Sequence, residues 1–263
     1  MKLYRYVLFI CPLCAAMQLH AAFWRTPYLQ NMQPTAVTIM WWSSTNAVGQ
    51  IDGEPGWIEY GTNGYDFSNA ADQVTTNTFN GLTGIVHRIT LENLAANTNY
   101  LYRVICGGAT NSGAFRTYPA ATDTTTPVTF AVQGDINSYR AESKFRALCN
   151  AQATLRPNAL LLLGDIAPYG EALVSNAWDA FFASGAALMT NTPTYITPGN
   201  AEYYTGSLAS GYDTAFSFPT NGPDHTYSFD CGMAHVTVIE MQSDFLTTPD
   251  LVQFTWVTND LAR

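Results

Sequence analysis

Three Gly-Asp or Gly-Asn steps follow apolar runs in the second half of this chain, and they carry the residue types best suited to chemistry. They are Gly134-Asp135, Gly164-Asp165 and Gly199-Asn200. Glycine lets the backbone turn sharply where a strand ends, so oxygen ligands from separate strands can converge at one edge of a sheet. Two carboxylates and one amide oxygen suit divalent cations, with further ligands needed to complete the shell. The pattern therefore predicts a metal centre.

The spacing of these steps predicts the elements that hold them. Asp135 and Asp165 are 30 residues apart, and Asp165 and Asn200 are 35 residues apart. Each gap contains one helix-like segment, at 140–155 and at 172–189. Strand–helix alternation of this kind indicates a layered α/β domain. A single step of this type usually marks only a turn or a helix cap, so the prediction rests on order and spacing.

The three steps and their flanks resemble the calcineurin-like metallophosphoesterases, specifically the purple acid phosphatase branch. The steps, with Tyr169 near the second, resemble the first three motifs of that family. The stretch at 225–240 resembles its aromatic strand pair, and 253–262 resembles the helix that follows. The resemblance covers most of the chain beyond its first residues.

The resemblance implies a centre with two divalent or trivalent metal ions, one of them iron and the other zinc, manganese or iron. It implies that Asp135 binds the first ion, that Asp165 bridges both, and that Asn200 binds the second through its amide oxygen. Tyr169 would be a phenolate ligand, but it follows Asp165 by four residues where the family has three. An aromatic at the domain surface is the alternative for Tyr169. The implied reaction is hydrolysis of a small phosphate ester by a metal-activated water.

The sequence departs from the family at the residue after the third step. Ala201 stands where the family has a histidine that contacts the phosphate and assists the leaving group, and a methyl group does neither. Loss of a general acid typically costs on the order of 100- to 10,000-fold in rate. Glu202 follows, and a carboxylate beside an incoming phosphate would repel it unless the carboxylate is protonated. The sequence therefore assigns no residue a certain catalytic role.

The histidines match no ligand position of the family, and structural roles are expected for them. The family's later histidine motifs are absent, so we expect a metallophosphoesterase domain that is truncated at its C-terminal side. The four histidines are His20, His87, His225 and His235.

The last helix-like segment, at 249–261, places apolar residues on one side at helical spacing. Because such a helix normally buries its apolar side, we expect this one to cover a sheet. The apolar residues are Leu251, Phe254, Val257 and Leu261.

A change in residue pattern at 119–127 predicts that the chain is divided into two domains. Before it, short alternating stretches between turn residues predict a β-sandwich over 23–118, with Trp41 or Trp42 in its core. In the resembled family such a module carries no catalytic residue, so the resemblance implies the role of a scaffold. The resembled metallophosphoesterase domain, with α/β (α+β) layers, occupies 128–263.

A tyrosine also supports the sandwich interpretation. Tyr100 follows a turn-rich stretch and resembles the tyrosine corner of a fibronectin type III module. Of the two tyrosines in the stretch 94–104, Tyr100 is favoured over Tyr102 as the corner residue.

The first residues, 1–21, read as a signal peptide. Lys2 and Arg5 precede an apolar stretch, and small residues suit cleavage before Ala22 or Phe23. The stretch is too short for a comfortable membrane span. A lipoprotein anchor at one of two early cysteines is disfavoured by bulky or proline neighbours. We therefore expect a secreted or periplasmic protein.

The charge balance excludes two classes of partner. The 263 residues include 11 lysines and arginines against 20 acidic residues, for a net charge of −9. A chain with this balance has no electrostatic footprint for nucleic acid. It also lacks the basic patches that attract anionic membranes.

Three cysteines follow the signal segment, and this odd number allows at most one internal disulfide. Their pairing is left open, and a role as small buried apolar side chains is the favoured interpretation. They are Cys106, Cys149 and Cys231.

Two functions are compatible with these features. The first is an exported metal-dependent phosphatase of the purple acid phosphatase type, acting on phosphate monoesters but with low activity because of Ala201 and the missing histidines. The second is a non-catalytic or fragmentary relative that serves as a binding or interaction module. A β-sandwich adhesin with an unrelated α/β partner is disfavoured by the ordered steps. Fold class alone does not decide between the two functions.

Overall fold

The structure, a computed structural model, describes residues 23–44, 56–70, 73–79, 82–137, 141–166, 170–203, 208, 211–241 and 251–263. The predicted signal peptide at 1–21 and the candidate ligand Tyr169 lie outside the described residues. Export and the phenolate role therefore stay predictions.

Within the described residues, eight strands before residue 119 form a β-sandwich. The strands are β1 (Phe23–Gln30), β2 (Val37–Ser44), β3 (Trp57–Gly61), β4 (Phe67–Ala70), β5 (Gln73–Phe79), β6 (Leu82–Leu91), β7 (Asn99–Cys106) and β8 (Ala109–Arg116). They pair antiparallel in two sheets, with orders β1-β2-β6-β5 and β4-β3-β7-β8. On β7 buried side chains alternate with more exposed ones, which is the period-two pattern of a strand with one face in the core.

Two adjacent tryptophans on β2 belong to different cores. Trp41 is fully buried in the sandwich, where its ring stacks on His87 with 4.9 Å between ring centroids. Trp42 lies on the opposite face, as successive strand residues do, and its indole N–H donates to the Tyr28 hydroxyl at 3.0 Å. Burial lowers the pKa of His87 to about 4, so its ring is neutral near pH 7.

The loop before β7 is closed by the predicted tyrosine corner. The Tyr100 hydroxyl accepts a hydrogen bond from the Ala95 N–H at 2.9 Å. The Thr117 hydroxyl donates to the Ala95 carbonyl at 2.6 Å and so holds the same loop. These bonds confirm the local geometry that the sequence predicted.

After residue 128, strands and helices alternate as the spacing predicted. The elements are β9 (Phe130–Gln133), α1 (Glu142–Leu155), β10 (Ala159–Leu163), α2 (Gly170–Met189), β11 (Thr194–Thr197), α3 (Tyr212–Ala215), β12 (Tyr227–Cys231), β13 (Ala234–Val238) and α4 (Leu251–Asp260). Strands β9, β10 and β11 are parallel with β10 in the centre, while β12 and β13 form an antiparallel hairpin. Across the described stretches, no helix has the length and apolar character needed to cross a bilayer.

The three cysteines serve as buried apolar side chains, which confirms the favoured interpretation. All three are unpaired and buried. Desolvation raises the pKa of the Cys149 thiol to about 11 and that of the Cys231 thiol to about 12. Both thiols are therefore protonated near neutral pH, in which form they are weak nucleophiles.

Side chains of the sandwich are bonded to the second region. Arg25 on β1 is almost fully buried and forms an ion pair with Asp179 on α2 at 3.0 Å. The Tyr102 hydroxyl on β7 donates to the Thr190 carbonyl at 2.7 Å. Bonds of this kind hold the two regions in one arrangement, because breaking them leaves buried polar groups unsatisfied. The Arg25 guanidinium also lies 4.1–4.8 Å from the ring centroids of Trp24, Trp42 and Phe182.

The prediction that the last helix buries its apolar side is wrong. On α4, Leu251 and Phe254 are exposed, whereas Gln253 and Asp260 are buried. The Gln253 amide donates to the Glu240 carbonyl at 2.9 Å. Apolar spacing does not identify the buried face here, because the polar side chains find partners on the neighbouring hairpin.

Asp260 connects α4 to the β12–β13 hairpin. Its carboxylate accepts hydrogen bonds from the Ser228 hydroxyl at 2.9 Å and the Thr237 hydroxyl at 3.1 Å. The His235 ring contributes its Nε2 at 2.9 Å from Asp260 and its Nδ1 at 2.6 Å from Asp230. The hydrogen bonds to Asp230 and then to Asp260 raise the pKa of His235.

We expect the attachment of α4 to weaken as pH rises. A histidine whose pKa is raised in the folded state contributes stability that is complete below the unfolded value of about 6.5 and is lost as pH rises through the folded value. The drop in Tm between pH 5.5 and 8.5 should therefore be smaller in His235→Gln than in the wild type. An identical drop in both proteins would contradict this role for His235.

Candidate metal centre

The three predicted steps lie at one edge of the parallel sheet. Asp135 follows the end of β9, Asp165 follows β10, and Asn200 follows β11. Carboxyl ends of parallel strands meet at the same edge, which is where open α/β sheets place their ligands. Because β10 is the central strand, Asp165 lies between the other two loops.

Hydrogen bonds join the three loops directly. The Asp135 N–H donates to the Gly164 carbonyl at 3.2 Å, and the Asn137 N–H donates to the Asp165 carbonyl at 2.9 Å. On the other side, the Ala201 N–H donates to Asp165 Oδ1 at 2.8 Å. The loops of Asp135 and Asn200 are thus both in contact with the loop of Asp165.

Glycine is required where the second and third loops meet. A β-carbon on Gly164 would lie 2.6 Å from the Gly199 Cα, and Gly164 has a φ of +76°. A β-carbon on Gly199 would collide with the Asp165 carboxylate and backbone N–H. The glycines of the second and third steps therefore permit a close approach, and Gly164 also permits a left-handed turn.

Two candidate ligands have left-handed backbone conformations. The φ angles are +51° at Asp135 and +53° at Asp165, and Asn137 has +47°. Non-glycine residues adopt this region uncommonly, at a cost of about 1–3 kcal/mol each, and such residues cluster at functional sites. The Asn137 side-chain amide donates to Asp135 Oδ1, so Asn137 orients the first candidate ligand.

Glu202 is a structural residue of the site that sequence reasoning missed. Its side chain is buried, and its carboxylate accepts three backbone N–H bonds. Oε2 binds the N–H of Asp165 at 2.9 Å and of Gly199 at 2.7 Å, and Oε1 binds the N–H of Ile166 at 2.8 Å. The expectation that Glu202 would repel an incoming phosphate is therefore wrong, because its charge is directed into the protein. No local pattern signals this role, since the main partners are 36 and 37 residues away in the chain.

The described histidines have partners elsewhere. His87 is in the sandwich core, and His235 bonds to the C-terminal helix as described above. His225 lies 2.6 Å from Asp213, and this hydrogen bond raises the pKa of His225. The described histidines therefore have structural roles, as the sequence predicted.

Tyr203 follows the third loop and is half-buried. Desolvation, and then the charge of Glu240, raises the pKa of Tyr203 to about 12. Its hydroxyl is therefore protonated at neutral pH.

The donor set fits one class of cation better than another. Asp135, Asp165 and Asn200 offer oxygen atoms only, which suit hard cations such as Mg²⁺ or Mn²⁺. Tight sites for iron or zinc usually include imidazole, and none is contributed by the described residues. Among those residues, no group of three His, Cys, Asp or Glu side chains is arranged to hold a metal ion. The three loops therefore offer the oxygen donors that hard cations prefer, and the described residues add no imidazole to them.

Residues 25–122 match the family described as purple acid phosphatase, N-terminal domain. The chain is 28% identical over 183 residues to acid phosphatase type 7 of Homo sapiens, which covers 68% of this chain and 41% of the relative. It is 23% identical over 219 residues to purple acid phosphatase 23 of Arabidopsis thaliana, covering 70% and 46% respectively. The chain thus spans less than half the length of these curated relatives.

Two solved structures share the fold. Purple acid phosphatase PPD1 from yellow lupin seeds superposes with a TM-score of 0.70 and 18% identity, covering 90% of this chain and 48% of that one. The structure of PhoD superposes with a TM-score of 0.61 and 16% identity, covering 94% and 61%. At these identities the likeness concerns the fold.

Proposed function

From the premise that this chain is purple acid phosphatase-like and carries that family's N-terminal domain, we propose that the edge formed by Asp135, Asp165 and Asn200 is a metal-dependent phosphomonoesterase centre. The observation that carries the proposal is the direct bonding of three loops from three parallel strands around Asp165. The three loops lie at the edge where α/β sheets bind ligands.

Position suggests a separate role for each ligand. Asp165 is on the central strand and would bridge two ions, while Asp135 would hold one ion and Asn200 the other. The ions, when bound, would neutralise phosphoryl oxygens and increase the acidity of a water. The Ala201 N–H and Asn137 amide hold the Asp165 and Asp135 carboxylates in place. The substrate would be a small phosphate monoester.

A second candidate function is that of a binding module that does not hydrolyse its ligand, and the residue at position 201 favours this function. Ala201 directly follows Asn200, and its methyl group cannot protonate a leaving alcohol. Turnover by these 263 residues is therefore expected to be slow, since loss of a general acid costs on the order of 100- to 10,000-fold. The test is hydrolysis of 4-nitrophenyl phosphate with and without Mn²⁺. Slow hydrolysis that requires both Mn²⁺ and Asp165 supports the phosphatase function. Mn²⁺ binding without any hydrolysis supports the binding module.

Asp165→Ala is expected to lower bound manganese more than Asn200→Ala does. A bridging carboxylate serves two ions, whereas the other ligands serve one each. Elemental analysis after equilibration with Mn²⁺ and gel filtration measures the difference. Asp66→Ala removes an exposed carboxylate from the sandwich and should leave the manganese content unchanged. Equal losses in Asp165→Ala and Asn200→Ala would contradict the bridging role.

A further inference from the structure

A cavity of about 810 Å³ lies between the sandwich and the second region, away from the candidate metal centre. One wall comes from β7 and β8, and the other includes the residues just before β9, β10 and β11. Residues that precede parallel strands lie at the opposite edge of the sheet from residues that follow them. Strands of four or five residues separate the two edges by about 15 Å. The cavity is therefore a distinct feature of the fold.

The lining of this cavity is positively charged in an acidic protein. Arg116 at the end of β8 and Arg156 after α1 both line it, and no acidic residue does. Neither guanidinium forms a hydrogen bond or ion pair with any residue that the structure describes, whereas Arg25 and Arg103 each pair with a carboxylate. Two unpaired cations beside one concave surface attract anions.

The backbone presents Arg156 in an unusual way. Arg156 ends α1 with φ +49° and ψ +57°, and its N–H donates to the Ala153 carbonyl at 3.2 Å. Glycine is the usual residue at a left-handed helix end, because other residues are strained there. An arginine at this position places a cation at the cavity, although its left-handed backbone is strained.

Hydrogen bonds fix both walls of the cavity. The Asn191 side chain accepts the Ala114 N–H at 2.9 Å, which joins the second region to β8 across the seam. Asn158 pairs with Thr129, with its side chain accepting the Thr129 N–H at 2.9 Å and its own N–H donating to the Thr129 carbonyl at 2.7 Å. A cavity with such walls is formed before a ligand arrives, which reduces the entropic cost of binding.

We propose that this cavity binds a small organic dianion, with its acid groups on Arg116 and Arg156. Guanidinium groups form paired, charge-assisted hydrogen bonds with carboxylates, which match their planar geometry. Leu101 lines the same cavity and is 43% exposed, so it offers apolar surface to the body of the ligand. The volume is within the range of small-molecule sites. The site is independent of the phosphatase proposal, since it shares no residue with the metal centre.

The probe is phthalate, an aromatic dicarboxylate, titrated into metal-free protein by calorimetry. We expect saturable binding, with a loss of affinity of about tenfold or more in Arg116→Gln and in Arg156→Gln, as for hydrogen bonds to charged groups. Benzoate, with one acid group, should bind at least about tenfold more weakly than phthalate by the same reasoning. Sulfate serves as a further arm, because tight sulfate binding would identify a simple inorganic-anion site and overturn the organic dianion.

Two variants control for charge and for location. Lys144→Gln removes an exposed cation from α1 and should leave phthalate affinity unchanged. Asp165→Ala should also bind phthalate as the wild type does, and a loss there would assign the ligand to the metal edge. The proposal is overturned by absent saturation, by an equal effect of Lys144→Gln, or by equal affinity for phthalate and benzoate.

Discussion

Replacing Ala201 by histidine is expected to raise the metal-dependent hydrolysis of 4-nitrophenyl phosphate by about 100-fold, the lower end of what a general acid contributes. Ala201 is joined to the centre by its backbone, since its N–H donates to Asp165 Oδ1 at 2.8 Å. A side chain at this position starts beside the candidate metal ligands, from where a histidine would protonate the leaving oxygen. The gain should appear mainly in kcat, because proton transfer acts on the transition state.

Ala201→Gln is the matched control for this variant. It has comparable bulk and hydrogen-bonding capacity but no proton to transfer near neutral pH, so its rate should stay close to that of the wild type. The measurement is initial rates at saturating Mn²⁺ from pH 5 to 8. If the wild type hydrolyses the substrate as fast as Ala201→His does, position 201 is not where a proton donor is missing.

Glu202→Ala is expected to lower the free energy of unfolding by about 3 kcal/mol and to weaken Mn²⁺ binding. The substitution leaves three backbone N–H groups without their acceptor, those of Asp165, Ile166 and Gly199. An unsatisfied buried donor costs about 1–3 kcal/mol, and water entering the space offsets part of the total. Metal binding should fall as well, because Glu202 holds Asp165 in its left-handed conformation next to the third loop.

Glu142→Ala supplies the comparison for Glu202→Ala. Glu142 is an exposed carboxylate on α1 that pairs with Arg146 one helical turn away, and such surface pairs contribute about 0.5 kcal/mol or less. Urea denaturation measures stability, and calorimetric titration with Mn²⁺ measures metal affinity. Glu202→Gln, which keeps the shape and one acceptor oxygen, should fall between the wild type and Glu202→Ala. A Glu202→Ala protein as stable as Glu142→Ala would refute the clamping role.

The sequence alone determined the features that depend on local pattern. Alternating apolar residues and turn signals predicted a sandwich before residue 119, and Tyr100 was predicted at its corner because the surrounding stretch resembles that motif. The Gly-Asp and Gly-Asn steps were found since each ends an apolar run, and their spacing predicted the intervening helices. These features are set by chain periodicity and by the conformational freedom of glycine, which act over a few residues.

Only the tertiary structure decided how distant residues meet. The role of Glu202 depends on amides 36 and 37 residues away, and the cavity lined by Arg116 and Arg156 arises where the sandwich and the second region meet. The buried face of α4 was likewise decided by partners on the hairpin, where Asp260 satisfies Ser228 and Thr237. The local sequence pattern does not show which face of a helix is buried or which distant residue a side chain contacts. Packing and long-range hydrogen bonds decide both, because a buried polar group is stable only where it has a hydrogen-bond partner.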